Sequence, residues 1–203
     1  MGMSVLLIGV AYLLGSLSGS LLLGKLRGVD IRTVGSGNAG GTNALRTQGW
    51  WFALGTVLID IGKGVLATWL AWLWLPASVV YVCALVAVVG HVWPVFHGFR
   101  GGKGAATLVG TLIVVWPAAL PLLLTVWLLS LALSGYVGLS TVLAGISLAL
   151  LALFAPADHV RLAFAIAAML LLLFTHRANL ARLRAGNESR FERARVLGRL
   201  FRR

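Results

Sequence analysis

The stretch AATLVGTLIVVWPAALPLLLTVWLLSLALSG, residues 105–135, decides how many times the chain crosses a membrane. It carries no charged residue, and a straight helix of its 31 residues would be about 46 Å long, whereas the hydrocarbon core of a bilayer is about 30 Å thick. Trp116, Pro117 and Pro121 lie near its middle, and proline breaks or kinks a helix. We therefore predict two short helices, which either cross the membrane twice or enter and leave on one side.

Five further apolar stretches approach or exceed the length that a transmembrane helix needs. With 60% hydrophobic and 11% charged residues and a mean hydropathy of +0.96, the chain is outside the range of soluble globular domains. The first stretch has no basic residue before it and is longer than the apolar core of a signal peptide, so we predict a permanent span. The stretches are residues 4–24, 50–75, 77–96, 137–154 and 160–175.

These patterns predict an all-α polytopic membrane protein with about seven transmembrane helices, two of them short. The prediction is a single integral membrane domain over residues 1–203, in which residues 176–203 form a basic tail. Five spans plus a re-entrant segment are the alternative. The single Cys83 lies within an apolar stretch, which excludes an intrachain disulfide and a cysteine-based metal site.

The distribution of basic residues predicts the orientation of the chain in the membrane. The net charge is +12, from 17 Lys and Arg against 5 Asp and Glu. The charges cluster at the ends of apolar stretches. A role in membrane topology or in binding anionic lipid explains this distribution better than binding of nucleic acid does. If residues 105–135 cross an even number of times, 15 of the 17 lie on one side, which the positive-inside rule assigns to the cytoplasm. The N-terminus is then outside, and the C-terminus is cytoplasmic. The 15 lie in residues 25–49, in the loop with Arg100 and Lys103, and in the tail; Lys63 and Arg161 are the exceptions.

A first glycine-rich segment on the cytoplasmic side is VGSGNAGGTN, residues 34–43. Closely spaced glycines permit positive φ, which lets consecutive N–H groups converge on an anion, and Arg46 would add a bidentate guanidinium. A flexible surface loop is the alternative, and spacing leaves both open. The pattern is neither a Walker loop nor a dinucleotide fingerprint. The candidate residues for phosphate are Gly35, Ser36, Gly37, Asn38, Gly40, Thr42 and Asn43.

A second segment, GHVWPVFHGFRGGKGAAT, residues 90–107, repeats the order of glycines, a cation and a helix. Lys103 stands directly before a helix N-terminus, where N–H groups and the helix dipole attract an anion. His91, near the membrane–water boundary, is either a base or phosphate donor or a structural histidine. Arg100 is either part of the site or a topology anchor. The candidates are His91, Gly101, Gly102, Lys103 and Gly104.

Two ionisable residues lie inside a predicted span, in LIDIGKG, residues 58–64. Asp60 and Lys63 are three residues apart, so they share a helix face and can neutralise each other. Ionisable groups at membrane depth are costly, and are therefore paired or functional. We favour a structural ion pair that supports the polar site over direct contact with substrate.

The last polar segment, THRANLARLRAGNESRF, residues 175–191, begins where the final span ends. Taken as a helix, it places His176 and Asn179 on one face, from which both can point into a common pocket. Its arginines are explained by anchoring to anionic lipid. In YVGLST, residues 136–141, Thr141 offers a hydroxyl, although bonding to its own helix is the ordinary expectation. The spacing indicates a cytoplasm-facing site that suits two phosphates better than one.

Four motifs resemble the bacterial acyl-phosphate:glycerol-3-phosphate acyltransferase family of the PlsY type. They are GSGNAGGTNALR, DIGKG, GHVWPVF with GGKGAAT, and HRANLARLRAGNE, in that order over nearly the whole chain. The resemblance implies a small multi-pass enzyme of the bacterial cytoplasmic (inner) membrane. Such an enzyme transfers a fatty acyl group from acyl phosphate to the 1-hydroxyl of sn-glycerol 3-phosphate, giving lysophosphatidic acid and phosphate, the first step of bacterial phospholipid synthesis. It uses neither acyl-CoA nor a metal or other cofactor.

The resemblance also implies roles for residues at matching positions. Acyl phosphate, glycerol 3-phosphate and membrane lipids are the expected partners, with no nucleic acid and no obligate protein partner. The proton acceptor is open between His176, His91 and the phosphate of the substrate itself. The expected catalytic residues are Ser36, Arg46, Lys103, His176, Asn179 and His91, with Thr141, Asn38, Thr42, Asn43 and the glycines of both segments binding phosphate.

The sequence departs from the family pattern around Tyr136, where members usually read Arg-Tyr-Val-Ser, with another serine three residues later. Here these places hold Gly135, Gly138 and Thr141, so Thr141 keeps a hydroxyl and Gly138 does not. Soluble-type acyltransferases carry a histidine with an aspartate five positions later, and none of the histidines in this sequence has an aspartate at that place. The main rival hypothesis is a transporter for a small phosphorylated solute, which predicts polar sites near the midplane of the membrane. A structural lipid-binding protein is the third hypothesis, and it leaves both glycine segments unexplained.

Overall fold

The computed structural model of the chain describes residues 1–156 and 158–197, and all regular structure among them is helical. Two compact units follow one another along the chain, Met1–Pro117 (unit 1) and a second unit that begins at Ala118 (unit 2). Unit 1 contains α1 (Gly2–Gly15), α2 (Gly19–Leu26), α3 (Gly41–Gln48), α4 (Trp50–Trp74), α5 (Ala77–Val92) and α6 (Ala105–Val115). Unit 2 contains α7 (Leu120–Ser134), α8 (Val137–Phe154), α9 (His159–Thr175) and α10 (Arg177–Arg184).

The helices confirm an all-α polytopic membrane protein. Four are long and apolar enough to span a bilayer, and two bent pairs, α1 with α2 and α9 with α10, raise the number of candidate spans to six. The predicted count of seven requires α6 to cross as well, although its 11 residues extend only about 16 Å. The orientation of the termini stays a prediction, and so does the single domain over residues 1–203. The end of the predicted basic tail, residues 198–203, lies outside the described residues.

The decisive stretch, residues 105–135, is broken as predicted. Helix α6 ends at Val115, a 3-10 turn follows over Pro117–Ala119, and α7 begins at Leu120. Proline lacks an N–H group and fits the first turn of a helix, which explains why Pro117 ends the first helix and Pro121 lies at the start of the second. The predicted break into two helices is therefore confirmed, but only α6 is short, since Pro117–Ser134 is long enough to be one of the four candidate spans.

The span predicted over residues 4–24 is interrupted between α1 and α2. Helices α1 and α2 meet at an angle of 49° around a short break. Two groups on α4 satisfy the backbone there: Lys63 Nζ donates to Gly15 O at 2.7 Å and to Leu17 O at 2.6 Å, and Asp60 Oδ1 accepts from Gly19 N at 3.1 Å. Unpaired backbone groups are costly in a membrane, so these contacts are what permits the break.

Small residues bring α4 and α6 into backbone contact. A Cβ atom on Gly110 would lie 2.1 Å from Ile61 O, and one on Gly64 would lie 2.4 Å from Thr107 O. Glycine pairs of this kind let membrane helices approach closely. The N-terminus of α6, which carries the second glycine segment, is therefore held beside the part of α4 that contains Asp60 and Lys63.

Candidate functional site

The first loop, residues 27–40, is organised by Asn43 on the first turn of α3. The Asn43 side chain is buried, its Oδ1 accepts from Ser36 N at 2.9 Å, and its Nδ2 donates to Ile31 O and Val34 O, both at 3.0 Å. Both amide protons of Asn43 are therefore engaged. Asn43 shapes the loop, and the contact with phosphate predicted for it would require these bonds to break.

Glycines in the first loop adopt the positive φ angles that the sequence suggested, 60° at Gly35 and 71° at Gly37. The adjacent N–H groups nevertheless turn inward, because Ser36 N donates to Asn43 and Gly37 N donates to Val34 O at 3.2 Å. The N–H groups left for an anion are those of the first turn of α3, which have no partner within the helix. The side chain of Ser36 is exposed, and those of Asn38 and Thr42 are half-buried.

The second loop, residues 93–104, is fastened to the end of α5. Gly101 N donates to Val92 O at 3.2 Å, and Gly102 N donates to His91 O at 3.1 Å. A Cβ atom on Gly102 would lie 2.2 Å from His91 Nε2 and 2.8 Å from Ala39 O. Gly102 is thus the point at which the two loops meet, and only glycine fits there.

Two predicted cations belong to unit 1, one beside the second loop in sequence and one on the helix that follows the first loop. Lys103 is half-buried, follows Gly102 directly and precedes Gly104, the N-cap of α6, whose φ is 90°. Arg46 is exposed on the last turn of α3, the helix that follows the first loop. Two helix N-termini, those of α3 and α6, and two cationic side chains therefore belong to the paired loops. Such groups attract phosphate oxygens.

Beneath the second loop lies a buried ionic cluster of Asp60, Lys63 and His91. Lys63 Nζ lies 3.1 Å from Asp60 Oδ1 and 2.7 Å from His91 Nδ1, and all three side chains are at most 5% exposed. Asp60 and Lys63 thus form the ion pair expected from their spacing. The contacts of His91 are those expected of a structural histidine. Its role as a base or phosphate donor stays a prediction.

In unit 2, His176 occupies the joint between α9 and α10, which bend by 55°, so that it caps both helices instead of lying within one. The side chain is buried, and Nδ1 lies 2.9 Å from Leu172 O. A proton on Nδ1 donated to this carbonyl leaves Nε2 as the acceptor of a neutral ring. This is the tautomer that a general base requires, whereas a contact with a phosphate oxygen requires a proton on Nε2.

Asn179 packs directly against Gly138. Its Nδ2 donates to Glu188 Oε1 at 2.6 Å, and a Cβ atom on Gly138 would lie 2.9 Å from Asn179 Cβ. Glycine at position 138, where the family pattern has serine, therefore leaves the space that Asn179 fills. The Thr141 hydroxyl donates to Val137 O at 2.9 Å and accepts from Trp127 Nε1 at 3.2 Å, as expected for a hydroxyl bonded within its own helix.

Comparison with known proteins gives a consistent result. Residues 5–186 match the family described as glycerol-3-phosphate acyltransferase. A glycerol-3-phosphate acyltransferase of Synechococcus sp. (strain CC9902) is 41% identical over 190 residues, covering 92% of this chain and 94% of that protein. Another, of Paramagnetospirillum magneticum, is 43% identical over 182 residues, covering 88% and 89%.

Two crystal structures of the integral membrane glycerol 3-phosphate acyltransferase PlsY (YgiH) are also similar. The glycerol 3-phosphate form has a TM-score of 0.90 and 36% identity, and the alignment covers 98% of this chain and all of the other. The lysophosphatidic acid form has a TM-score of 0.88 at 36% identity, covering 96% and 98%. The similarity therefore extends to the fold as well as to the sequence.

Proposed function

The chain belongs to the glycerol-3-phosphate acyltransferase family, and from this membership we propose that it transfers a fatty acyl group from acyl phosphate to the 1-hydroxyl of sn-glycerol 3-phosphate. The products are lysophosphatidic acid and inorganic phosphate. The observation that carries the proposal is the meeting of two glycine loops at Gly102, each continuing into a helix N-terminus and each accompanied by a cation, Arg46 or Lys103. Two substrates that each bear a phosphate suit a paired site of this kind.

The reaction needs little covalent help from the protein. The 1-hydroxyl oxygen attacks the acyl carbonyl, the bond between the carbonyl carbon and the phosphate oxygen breaks, and phosphate leaves with the electron pair. Because both reactants are anions, the work of the site is to hold them together and to stabilise charge at the carbonyl. Lys103 and Arg46 supply positive charge, while Ser36, Asn38 and the first turns of α3 and α6 supply hydrogen-bond donors.

The proton of the hydroxyl passes to a base within hydrogen-bond reach. His176, whose Nδ1 lies 2.9 Å from Leu172 O, is one candidate, and His91, which contacts Lys63 and Asp60, is another. The phosphate of glycerol 3-phosphate is the third candidate, because it lies on the same molecule as the hydroxyl. Asn179 is also proposed as a phosphate contact.

In the proposed topology the chain crosses the bacterial inner membrane seven times, with α6 and both bent pairs counted as crossings. The glycine loops and the basic C-terminal segment then face the cytoplasm, where glycerol 3-phosphate is dissolved, and the acyl chain lies among the helices. The transporter hypothesis would explain the two glycine segments as well as Asp60 and Lys63 at membrane depth. Their bonds to the break between α1 and α2 account for both residues without a transported solute.

The choice of acyl donor tests the proposal. Purified protein is given radiolabelled glycerol 3-phosphate with either palmitoyl phosphate or palmitoyl-CoA, and labelled lysophosphatidic acid is measured. We expect labelled lysophosphatidic acid with palmitoyl phosphate as the donor and none with palmitoyl-CoA. Product from palmitoyl-CoA alone would refute the proposed donor. An absence of product with both donors, together with uptake of label into proteoliposomes, would favour the transporter.

Gly102→Ala should reduce transfer about 100-fold, since displacements of about 1 Å have effects of this size. The new methyl group would collide with the His91 ring and with the Ala39 carbonyl, so the loops must separate. Gly9→Ala is the matched control, because a Cβ atom there meets nothing within 4 Å. The initial rate of lysophosphatidic acid formation is measured for both variants and the parent. A Gly102→Ala rate equal to that of the control would refute the assigned contact between the loops.

A further inference from the structure

The side chains of Asp30 and Arg32 form a bidentate ion pair at the start of the first loop. Arg32 Nη2 donates to Asp30 Oδ2 at 2.8 Å, and Arg32 Nε donates to Asp30 Oδ1 at 3.0 Å. The backbone N–H of Arg32 also donates to Asp30 Oδ1, at 2.9 Å. Paired N–H donors that face both oxygens of a carboxylate fix the plane and the direction of the guanidinium.

The remaining guanidinium nitrogen of Arg32 reaches the second loop. Nη1 donates to His97 O at 2.8 Å and to Arg100 O at 3.3 Å. Arg32 therefore bonds a carboxylate of one glycine loop and two carbonyls of the other at the same time. Lysine would keep the charge, but its single ammonium group cannot reproduce this planar arrangement of donors.

The two loops held in this way carry the groups assigned to the two phosphates. On one side, Ile31 O and Val34 O accept from Asn43, which lies on the first turn of α3 and also accepts from Ser36 N. On the other side, Arg100 lies three residues before Lys103. The position of Lys103 relative to Ser36 thus depends on the contact at Gly102 and on the bonds made by Arg32.

We propose that Asp30 and Arg32 are positioning residues for acyl transfer, which set the separation between the first loop with Ser36 and the second loop with Lys103. This inference rests on the proposed function for its catalytic consequence. Neither residue touches the reacting atoms in this account. Both act through the backbone of the second loop.

The charge state of the pair agrees with this role. Hydrogen bonds from the Arg32 side chain, then from its backbone, lower the pKa of Asp30 from 3.8 to about 2, with a smaller contribution from the charge of Arg100. The bonds to Asp30 raise the pKa of Arg32. A carboxylate whose pKa falls on folding stabilises the folded state above its unfolded pKa, and this stabilisation disappears as the pH drops from about 4 towards 2. Asp30 and Arg32 therefore stay charged and bonded around neutral pH.

The test compares Arg32→Lys, Asp30→Asn and the double variant with the parent. Lys25→Gln is the control, because Lys25 is an exposed cation at the end of α2, close to the first loop in sequence. Hydrogen–deuterium exchange of the peptide over residues 98–104 is measured without substrate, and kcat and KM are measured with palmitoyl phosphate and glycerol 3-phosphate. Both Arg32→Lys and Asp30→Asn should exchange faster than the parent and the control.

In the rate measurement, kcat should fall about 10- to 100-fold, with a smaller change in either KM, since a small misplacement of reacting groups has effects of this size. The double variant should be no slower than Arg32→Lys, because both changes remove the same link. Unchanged exchange would overturn the link itself, and faster exchange with unchanged kcat would overturn the positioning role. A parent without turnover would count against the proposed function alone, and the exchange measurement would still decide on the link.

Discussion

Lys103→Ala should lower the rate of acyl transfer at least 100-fold while the protein stays folded. Lys103 stands between Gly102, where the two glycine loops meet, and Gly104, which caps α6. Two anionic substrates repel each other, and removing one preorganised electrostatic contact from such a site lowers rates by about 100- to 1,000-fold. Because Lys103 is a half-buried loop residue outside the packed helices, its loss leaves the interhelical packing unchanged.

The measurement is the initial rate of lysophosphatidic acid formation, together with the KM of each substrate and the melting temperature in detergent. Lys25→Ala removes an exposed lysine from α2 and serves as the control. Lys103→Arg keeps the charge and should retain more activity than Lys103→Ala. A Lys103→Ala rate within tenfold of the parent, with both KM values unchanged, would contradict the role assigned to this cation.

Lys63→Met should destabilise the protein by about 3–5 kcal/mol, the usual cost of removing one partner from a buried ion pair. The substitution leaves the Asp60 carboxylate uncompensated inside the helix bundle, and it removes the donor from Gly15 O and Leu17 O at the break between α1 and α2. For a chain of this length the melting temperature should fall by on the order of 10 °C. The second loop should also loosen, because His91 loses a contact.

The double variant Asp60→Asn/Lys63→Met distinguishes the lone charge from the lost hydrogen bonds. It removes both charges, so it should melt at a higher temperature than Lys63→Met, although still below the parent. Lys25→Met, at an exposed position, is the control for the change of side chain. The account of this cluster fails if Lys63→Met melts together with the control.

Hydropathy and proline placement predicted most of the fold, because both act locally. The break after α6 follows from Pro117 and the missing N–H group of proline. The break between α1 and α2 could not be predicted from the local sequence, because the residues that stabilise it lie on α4. Gly15 O finds its donor 48 residues away, on Lys63, and the small residues in GSLSGS, residues 15–20, were the only local signal.

The roles of the site residues stay predictions, and the structure adds their local contacts. Spacing placed Asn43 among the phosphate ligands, but an asparagine that binds its own loop has the same sequence signature as one that binds an anion. Arg32 was counted only as a topology charge, because its partners His97 O and Arg100 O lie 65 and 68 residues further along the chain. Gly138 stood out as a departure from the family pattern, and its contact with Asn179 gives the steric reason.

The central claim is that two phosphate-bearing substrates meet at the paired glycine loops and exchange an acyl group. It is tested most directly by measuring phosphate release from palmitoyl phosphate by the parent protein, with and without glycerol 3-phosphate. We expect release only when glycerol 3-phosphate is present, with one lysophosphatidic acid formed for each phosphate. Release that does not depend on glycerol 3-phosphate, or no release from protein shown to be folded, would contradict it.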